Sequence, residues 1–201
     1  MTIAILDYGM GNLRSVARAL HRVGADAQVT ADADLLDRAD AVVIPGVGRF
    51  GACMRNLAPV AASLRTLARD GRPVFGVCLG LQVLFEGSEE DDDAGLGILR
   101  GRARRLPGED GVKVPHMGWN DVRWTARHPF VDGIPTGTRF YFVHSYAVDL
   151  DAGTTVGATE HGRPFASVVA AGNVFATQFH PEKSGEAGLA IYERFVRTVA
   201  A

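Results

Sequence analysis

Cysteine is scarce: Cys53 and Cys78 are the two that the 201-residue chain carries. A secreted disulfide scaffold uses more, so a reducing cytosol is the expected setting. Long apolar runs are missing as well. No stretch approaches the roughly 20 residues that span a bilayer, and no membrane association is expected. The opening MTIAILDYGMGN has no basic n-region and meets an acid at Asp7, so it reads as a first strand, not a signal peptide. Nor is there an excess of positive charge. The net charge is −2, which leaves no basic field to attract nucleic acid. His21, His128 and His161 show no metal-ligand spacing with cysteines or acids, so no metal is expected. DYGMGN lacks the full G-x-G-x-x-G spacing, and no nucleotide cofactor is expected.

What is present alternates in its first part between strand and helix patterns. Thr2–Leu6 is a short apolar run before the glycines of DYGMGN. Leu13, Val16, Ala17, Leu20 and Val23 follow at helical spacing, with Gly24 as C-cap. Ala41–Ile44 is a second apolar run, stopped by Pro45, and one long helical pattern covers about 51–68. Pro73–Val77 is another buried strand, followed by a helix over about 79–85. This order predicts an α/β fold with an open, mostly parallel or mixed sheet and flanking helices. The acidic stretch Glu86–Asp93 reads as a solvated loop. Short β-like runs follow at Val112–Val114, Phe140–Val143, Thr154–Ala158, Ala166–Val169 and Asn173–Thr177, and an amphipathic helix covers about 185–199. The arginines of Arg100–Arg105 read as an exposed strand face. No linker divides the chain, so residues 1–201 are expected to form one domain.

The sharpest local signal is Gly76-Val77-Cys78-Leu79-Gly80 between a predicted strand and a predicted helix. A nucleophile on such a tight turn sits in strained backbone and needs small neighbours, which Gly76 and Gly80 supply. The thiol would lie at a helix N-terminus, which favours thiolate, with the Leu79 N–H facing a developing oxyanion. A lone cysteine is more often packing, and Cys53, in FGACMRNL with no glycine elbow, reads that way. A thiolate also needs a base, and the base an orienter. His180 follows an apolar strand, and Glu182 stands two residues on, across Pro181. Each alone would be an ordinary histidine or a solvated acid; with the elbow they form a Cys–His–Glu set.

GVCLGLQ together with QFHPE resembles the class I, triad-type glutamine amidotransferases. DYGMGNL, PGVG, PHMGWN, VHSY and HPEKS are similar to the glutaminase-subunit family of imidazole glycerol phosphate synthases, and these motifs run from the first strand to the last helix. The resemblance implies a flavodoxin-like fold and hydrolysis of glutamine through a thioester on Cys78, with His180 as base and Glu182 as its orienter. It implies an oxyanion hole made by the N–H groups of Leu79 and Val47. Glutamine contacts would be Gly48, Gln82, His144, Ser145 and Tyr146. The partner would be a separate (β/α)₈ cyclase subunit, forming a heterodimer that uses the ammonia for histidine biosynthesis. Asn12, Met117, Trp119, Tyr141 and Lys183 match the positions at that interface. No cofactor is implied.

Three other readings stay open on the sequence. One is a glutaminase subunit of another pathway, such as pyridoxal phosphate synthesis, against which PHMGWN and HPEKS speak. The second is a cysteine protease or amidase on a similar core. The third is an interaction module that kept the fold, against which the intact Cys78, His180 and Glu182 speak.

Overall fold

The computed structural model describes residues 1–108 and 111–200. In chain order the elements are β1 (Thr2–Leu6), α1 (Leu13–Arg22), β2 (Asp26–Thr30), α2 (Ala33–Arg38), β3 (Ala41–Gly46), α3 (Phe50–Leu57), α4 (Ala61–Arg69), β4 (Val74–Cys78) and α5 (Leu79–Val83). They continue with β5 (Gly87–Ser88), β6 (Arg102–Arg105), β7 (His116–Trp124), β8 (Thr138–His144), β9 (Tyr146–Val148), β10 (Thr155–His161), β11 (Arg163–Ala171), β12 (Val174–Thr177) and α6 (Gly185–Ala200). A nine-stranded sheet has the order β2-β1-β3-β4-β12-β11-β10-β7-β8, and β5-β6-β9 form a small second sheet. The first five strands are mutually parallel. The rest of the large sheet is antiparallel. The sheet is therefore mixed, as the alternating pattern followed by short runs predicts.

Both faces are covered. Leu36, Phe50, Leu57, Leu64 and Leu81 bring α2 to α5 onto one face. Val16, Leu20, Ile191 and Phe195 bring α1 and α6 onto the other. Phe75 of β4 anchors this second face, with ring centroids 5.1 Å from Phe195 and 5.4 Å from Phe130. Rings in such edge and tilted contacts add to the burial of their apolar area.

Several expectations change. The helix expected over 51–68 is two helices, because Pro59 lacks the N–H that would continue the ladder, and a 3₁₀ turn at Ala58–Val60 joins them. Strand β3 runs through Pro45 to Gly46. Its pairing with β1 ends at Val43, so past that point only β4 is its neighbour. The sequence reading passed over β2 and α2, and took the PHMGWN segment as a motif where the nine-residue β7 runs. Val112–Val114 forms no strand. The acidic stretch is not a free loop. Gly87–Ser88 pairs with β6, Glu90 accepts from Phe50 N–H and Asp91 from Gly51 N–H, both at 2.8 Å. Two carboxylates from this segment thus cap the N-terminus of α3, where negative charge is favourable. The arginines of β6 do flank a buried Ala103 on an exposed strand. No helix among the described residues is long and apolar enough to cross a membrane.

Candidate active site

Strand β4 ends at Cys78, whose φ is 57°, the one positive value outside glycine among the described residues. A side chain in that region costs roughly 1–3 kcal/mol, and the surrounding packing holds it there. A Cβ at Gly76 would lie 2.4 Å from the Gly80 carbonyl oxygen, and one at Gly80 would lie 1.8 Å from that of Ile44. The glycines let β3, β4 and α5 meet at backbone distance, and so turn the Cys78 thiol out at the carboxyl ends of the parallel strands, where open α/β sheets place their ligands. Helix α5 is five residues long, shorter than expected. The local field at Cys78 therefore comes from its first N–H groups more than from a macrodipole.

Strand β12, beside β4, carries the chain to His180. Its Nδ1 lies 2.8 Å from Glu182 Oε1, and both side chains are 1% exposed. A carboxylate only accepts, so Nδ1 carries the proton and Nε2 is left to act on the thiol. Nε2 makes no hydrogen bond among the described residues. Glu182 reaches back from a 3₁₀ turn, Pro181–Lys183. Ser184 explains the end of the HPEKS motif: its hydroxyl donates to the His180 carbonyl at 2.7 Å and accepts from Tyr141 N–H at 3.0 Å. Burial disfavours charge on His180, but the Cys78 and Glu182 charges outweigh it and hold the imidazole up to about 10. Behind Glu182, burial and then the carboxylate itself raise the Tyr192 phenol well above its ordinary value, so it stays protonated.

A cavity of about 270 Å³ opens at Cys78 and His180. It brings together all the expected oxyanion and glutamine positions: Val47, Leu79, Gly48, Gln82, His144, Ser145 and Tyr146. It also includes Pro115, Val143 and Glu90, which the sequence reading did not select. The signal for Glu90 was hidden in the acidic stretch, whose fold depends on contacts with α3 some 40 residues away. Gly48 has φ +101, and a Cβ there would meet Met10 Cε at 2.7 Å, so the oxyanion-side loop turns against DYGMGN.

His144 lines the cavity with its ring held inside the protein. Its Nδ1 lies 2.9 Å from the Tyr146 carbonyl and its Nε2 lies 3.0 Å from His116 Nδ1. Both ring nitrogens are engaged within the protein, so neither is free to bond a ligand. Burial, with His116 beside it, pushes His144 down to about 3, and burial, with His161, pushes His116 down to about 4. Both rings are neutral at physiological pH.

The five expected interface residues lie outside the cavity. Met117 is 64% and Trp119 49% exposed. Trp119 packs edge-on against Tyr141, and Lys183 Nζ sits 5.6 Å from the Tyr141 ring centroid. Asn12 is the N-cap residue of α1. This patch backs onto the site, since the Tyr141 carbonyl accepts from His180 N–H at 2.9 Å. No group of three or more metal-ligating side chains gathers among the described residues.

The model of the glutamine amidotransferase class-I family matches residues 4–199. The imidazole glycerol phosphate synthase subunit HisH of Halobacterium salinarum is 50% identical, over 97% of this chain and 92% of its own length. That of Methanocaldococcus jannaschii is 47% identical, over 96% and 98%. Among solved structures, PurLQS from Thermotoga maritima superposes with a TM-score of 0.76 at 21% identity, covering 98% of both chains. That likeness concerns the fold.

Proposed function

This chain belongs to the class-I glutamine amidotransferases, and from that premise we propose how it works as the glutaminase subunit of an imidazole glycerol phosphate synthase. The single observation that carries the mechanism is the 2.8 Å bond from His180 to Glu182 beside the strained turn at Cys78. Glutamine enters the cavity with its side-chain amide at Cys78. His180 Nε2 takes the thiol proton, and the thiolate attacks the amide carbon. The N–H groups of Leu79 and Val47 receive the oxyanion, an interaction worth about a hundred- to a thousandfold in rate per donor. The imidazolium then protonates the amide nitrogen, and ammonia leaves a thioester on Cys78. Water, deprotonated by His180, attacks that thioester, and glutamate departs with the thiol restored. Glu182 keeps the proton of His180 on Nδ1 throughout. Glu90 is the acidic side chain on the cavity wall, so it faces the α-ammonium of glutamine, while Gly48, Ser145 and the Tyr146 backbone contact the remainder.

The partner is a separate (β/α)₈ cyclase subunit. It receives ammonia and converts the phosphoribulosyl intermediate PRFAR to imidazole glycerol phosphate and AICAR in the cytosol. Ammonia set free in water becomes ammonium, which is not nucleophilic, so a docked acceptor is needed. The patch of Met117, Trp119, Tyr141 and Lys183 is the docking face, with Asn12 at its margin. It supports this reading that the patch is one hydrogen bond away from His180.

The test is glutamate release from glutamine by the whole chain, alone and with the cyclase plus PRFAR. Strong stimulation by the loaded cyclase is expected. Turnover indifferent to the cyclase would keep the thiol chemistry and remove the histidine pathway. Absence of turnover in both states, from folded protein, would favour an interaction module.

A further inference from the structure

We infer that Gln178, from the QFHPE motif, is a further catalytic residue: its side-chain amide donates a hydrogen bond to Cys78 Sγ and stabilises the thiolate that attacks glutamine. This rests on the reading of Cys78 as the nucleophile.

The residue is fully buried at the end of β12, and its Nε2 lies 3.7 Å from Sγ. Which end of the amide faces the sulfur is fixed by a chain of partners. The Tyr146 carbonyl can only accept, so the Gln82 atom 3.0 Å away is the nitrogen Nε2. That same nitrogen is 3.2 Å from the Gln178 amide, so the Gln178 atom it meets is the oxygen Oε1. The remaining Gln178 atom, at Sγ, is the nitrogen. Turning Gln178 alone would set two donors against each other and place a carbonyl oxygen on the sulfur. Turning both amides would press the Gln82 oxygen against the Tyr146 carbonyl. One arrangement satisfies every group.

The Val143 carbonyl also faces Sγ, at 3.8 Å. It accepts from the thiol S–H and repels a thiolate. Gln178 does the reverse, since hydrogen bonds strengthen when the acceptor becomes charged. On ionisation the proton passes from Sγ to His180 Nε2, and the Gln178 N–H remains on the sulfur. The titratable groups that share this cavity or couple to Cys78 are His180, His144, Tyr146, Glu90 and Tyr8. The substitution of Gln178 removes none of them.

The experiment follows alkylation of Cys78 by iodoacetamide against pH, read on its own peptide by mass spectrometry, in the whole chain and in Gln178→Met. Methionine keeps the length and removes the donor. The same proteins are assayed for glutamine turnover with the cyclase and PRFAR, beside Cys78→Ala. Expected are a profile displaced to higher pH, alkylation at pH 7 slowed about tenfold, and kcat lowered about tenfold with KM within about twofold, the scale of one hydrogen bond to a charged group. An unchanged profile and kcat, with Cys78→Ala inactive, overturns the role of Gln178 alone. An active Cys78→Ala overturns the nucleophile itself and this inference with it. Should Gln178→Met not fold, the wild-type chain decides by nuclear magnetic resonance. The Gln178 side-chain amide protons are expected to shift as Cys78 ionises, and a failure to shift overturns the inference.

Discussion

His116 donates a hydrogen bond from Nδ1 to His144 Nε2 across the paired strands β7 and β8, at 3.0 Å, and His144 in turn donates from Nδ1 to the Tyr146 carbonyl. Asn120 Nδ2 donates to the far nitrogen of His116 at 3.2 Å, which fixes both tautomers. The chain of donors ends on the carbonyl that also receives Gln82.

An added proton has no place in this chain, and stability should register that. The unfolded imidazoles take up protons near 6.5, whereas folded His116 waits until about 4 and folded His144 until about 3. The unfolded state therefore binds more protons below 6.5, and stability falls as pH falls. Urea melts between pH 8 and pH 4 should give a shallower loss for His116→Gln or His144→Gln than for wild type, even if each starts lower. Equal slopes would show that these rings do not stay neutral.

The backbone at Cys78 predicts an exchange of activity for stability. With φ at 57°, any Cβ there is strained, and glycine is not. Cys78→Gly should be more stable than Cys78→Ala by about 1–2 kcal/mol, and both should be inactive. Thermal melts of the two variants provide the check, and a more stable alanine variant would mean that the turn carries no strain.

Glu90 serves two tasks that a mild substitution can separate. Glu90→Gln keeps an oxygen for Phe50 N–H but loses the charge facing the substrate ammonium. KM for glutamine should rise about tenfold or more, the scale of one charge-assisted contact, while stability changes little. Steady-state kinetics with the cyclase present would measure it, and an unaltered KM would remove Glu90 from substrate binding.

Trp119 is half exposed, so Trp119→Ala should leave the melting temperature near that of wild type. Association with the cyclase should weaken by about 2 kcal/mol or more, as for a central aromatic anchor. Calorimetric titration would show it. Unchanged affinity would move the docking face elsewhere.

The parts of the site readable in the sequence are those whose cause is local. Gly76 and Gly80 announce the turn because only glycine fits there, and His180-Pro181-Glu182 carry base and orienter within three residues. Strand β1 is legible for the same reason, as an unbroken apolar run before a glycine loop. Strand β2 is not, since in DAQVT only Ala27 and Thr30 are buried, and neither marks a core. Glu90 was hidden because the contact that orders it comes from α3. The bond of Gln178 to the sulfur depends on a carbonyl of Tyr146, which no spacing along the chain discloses.

Strands β4 and β12 lie side by side, with Val77 opposite Thr177, although 100 residues separate Cys78 from Gln178. On the ribosome the order of events follows from this. The sulfur is made first, and its base arrives roughly 5 to 20 seconds later, at about 5–20 residues per second. Through that interval the emerging chain holds a thiol without His180, its orienter Glu182 or the Gln178 amide. The newborn protein cannot turn over glutamine until the segment between β12 and α6 is made, and a truncated copy that stops before β12 is released without the power to spill ammonia into the cell.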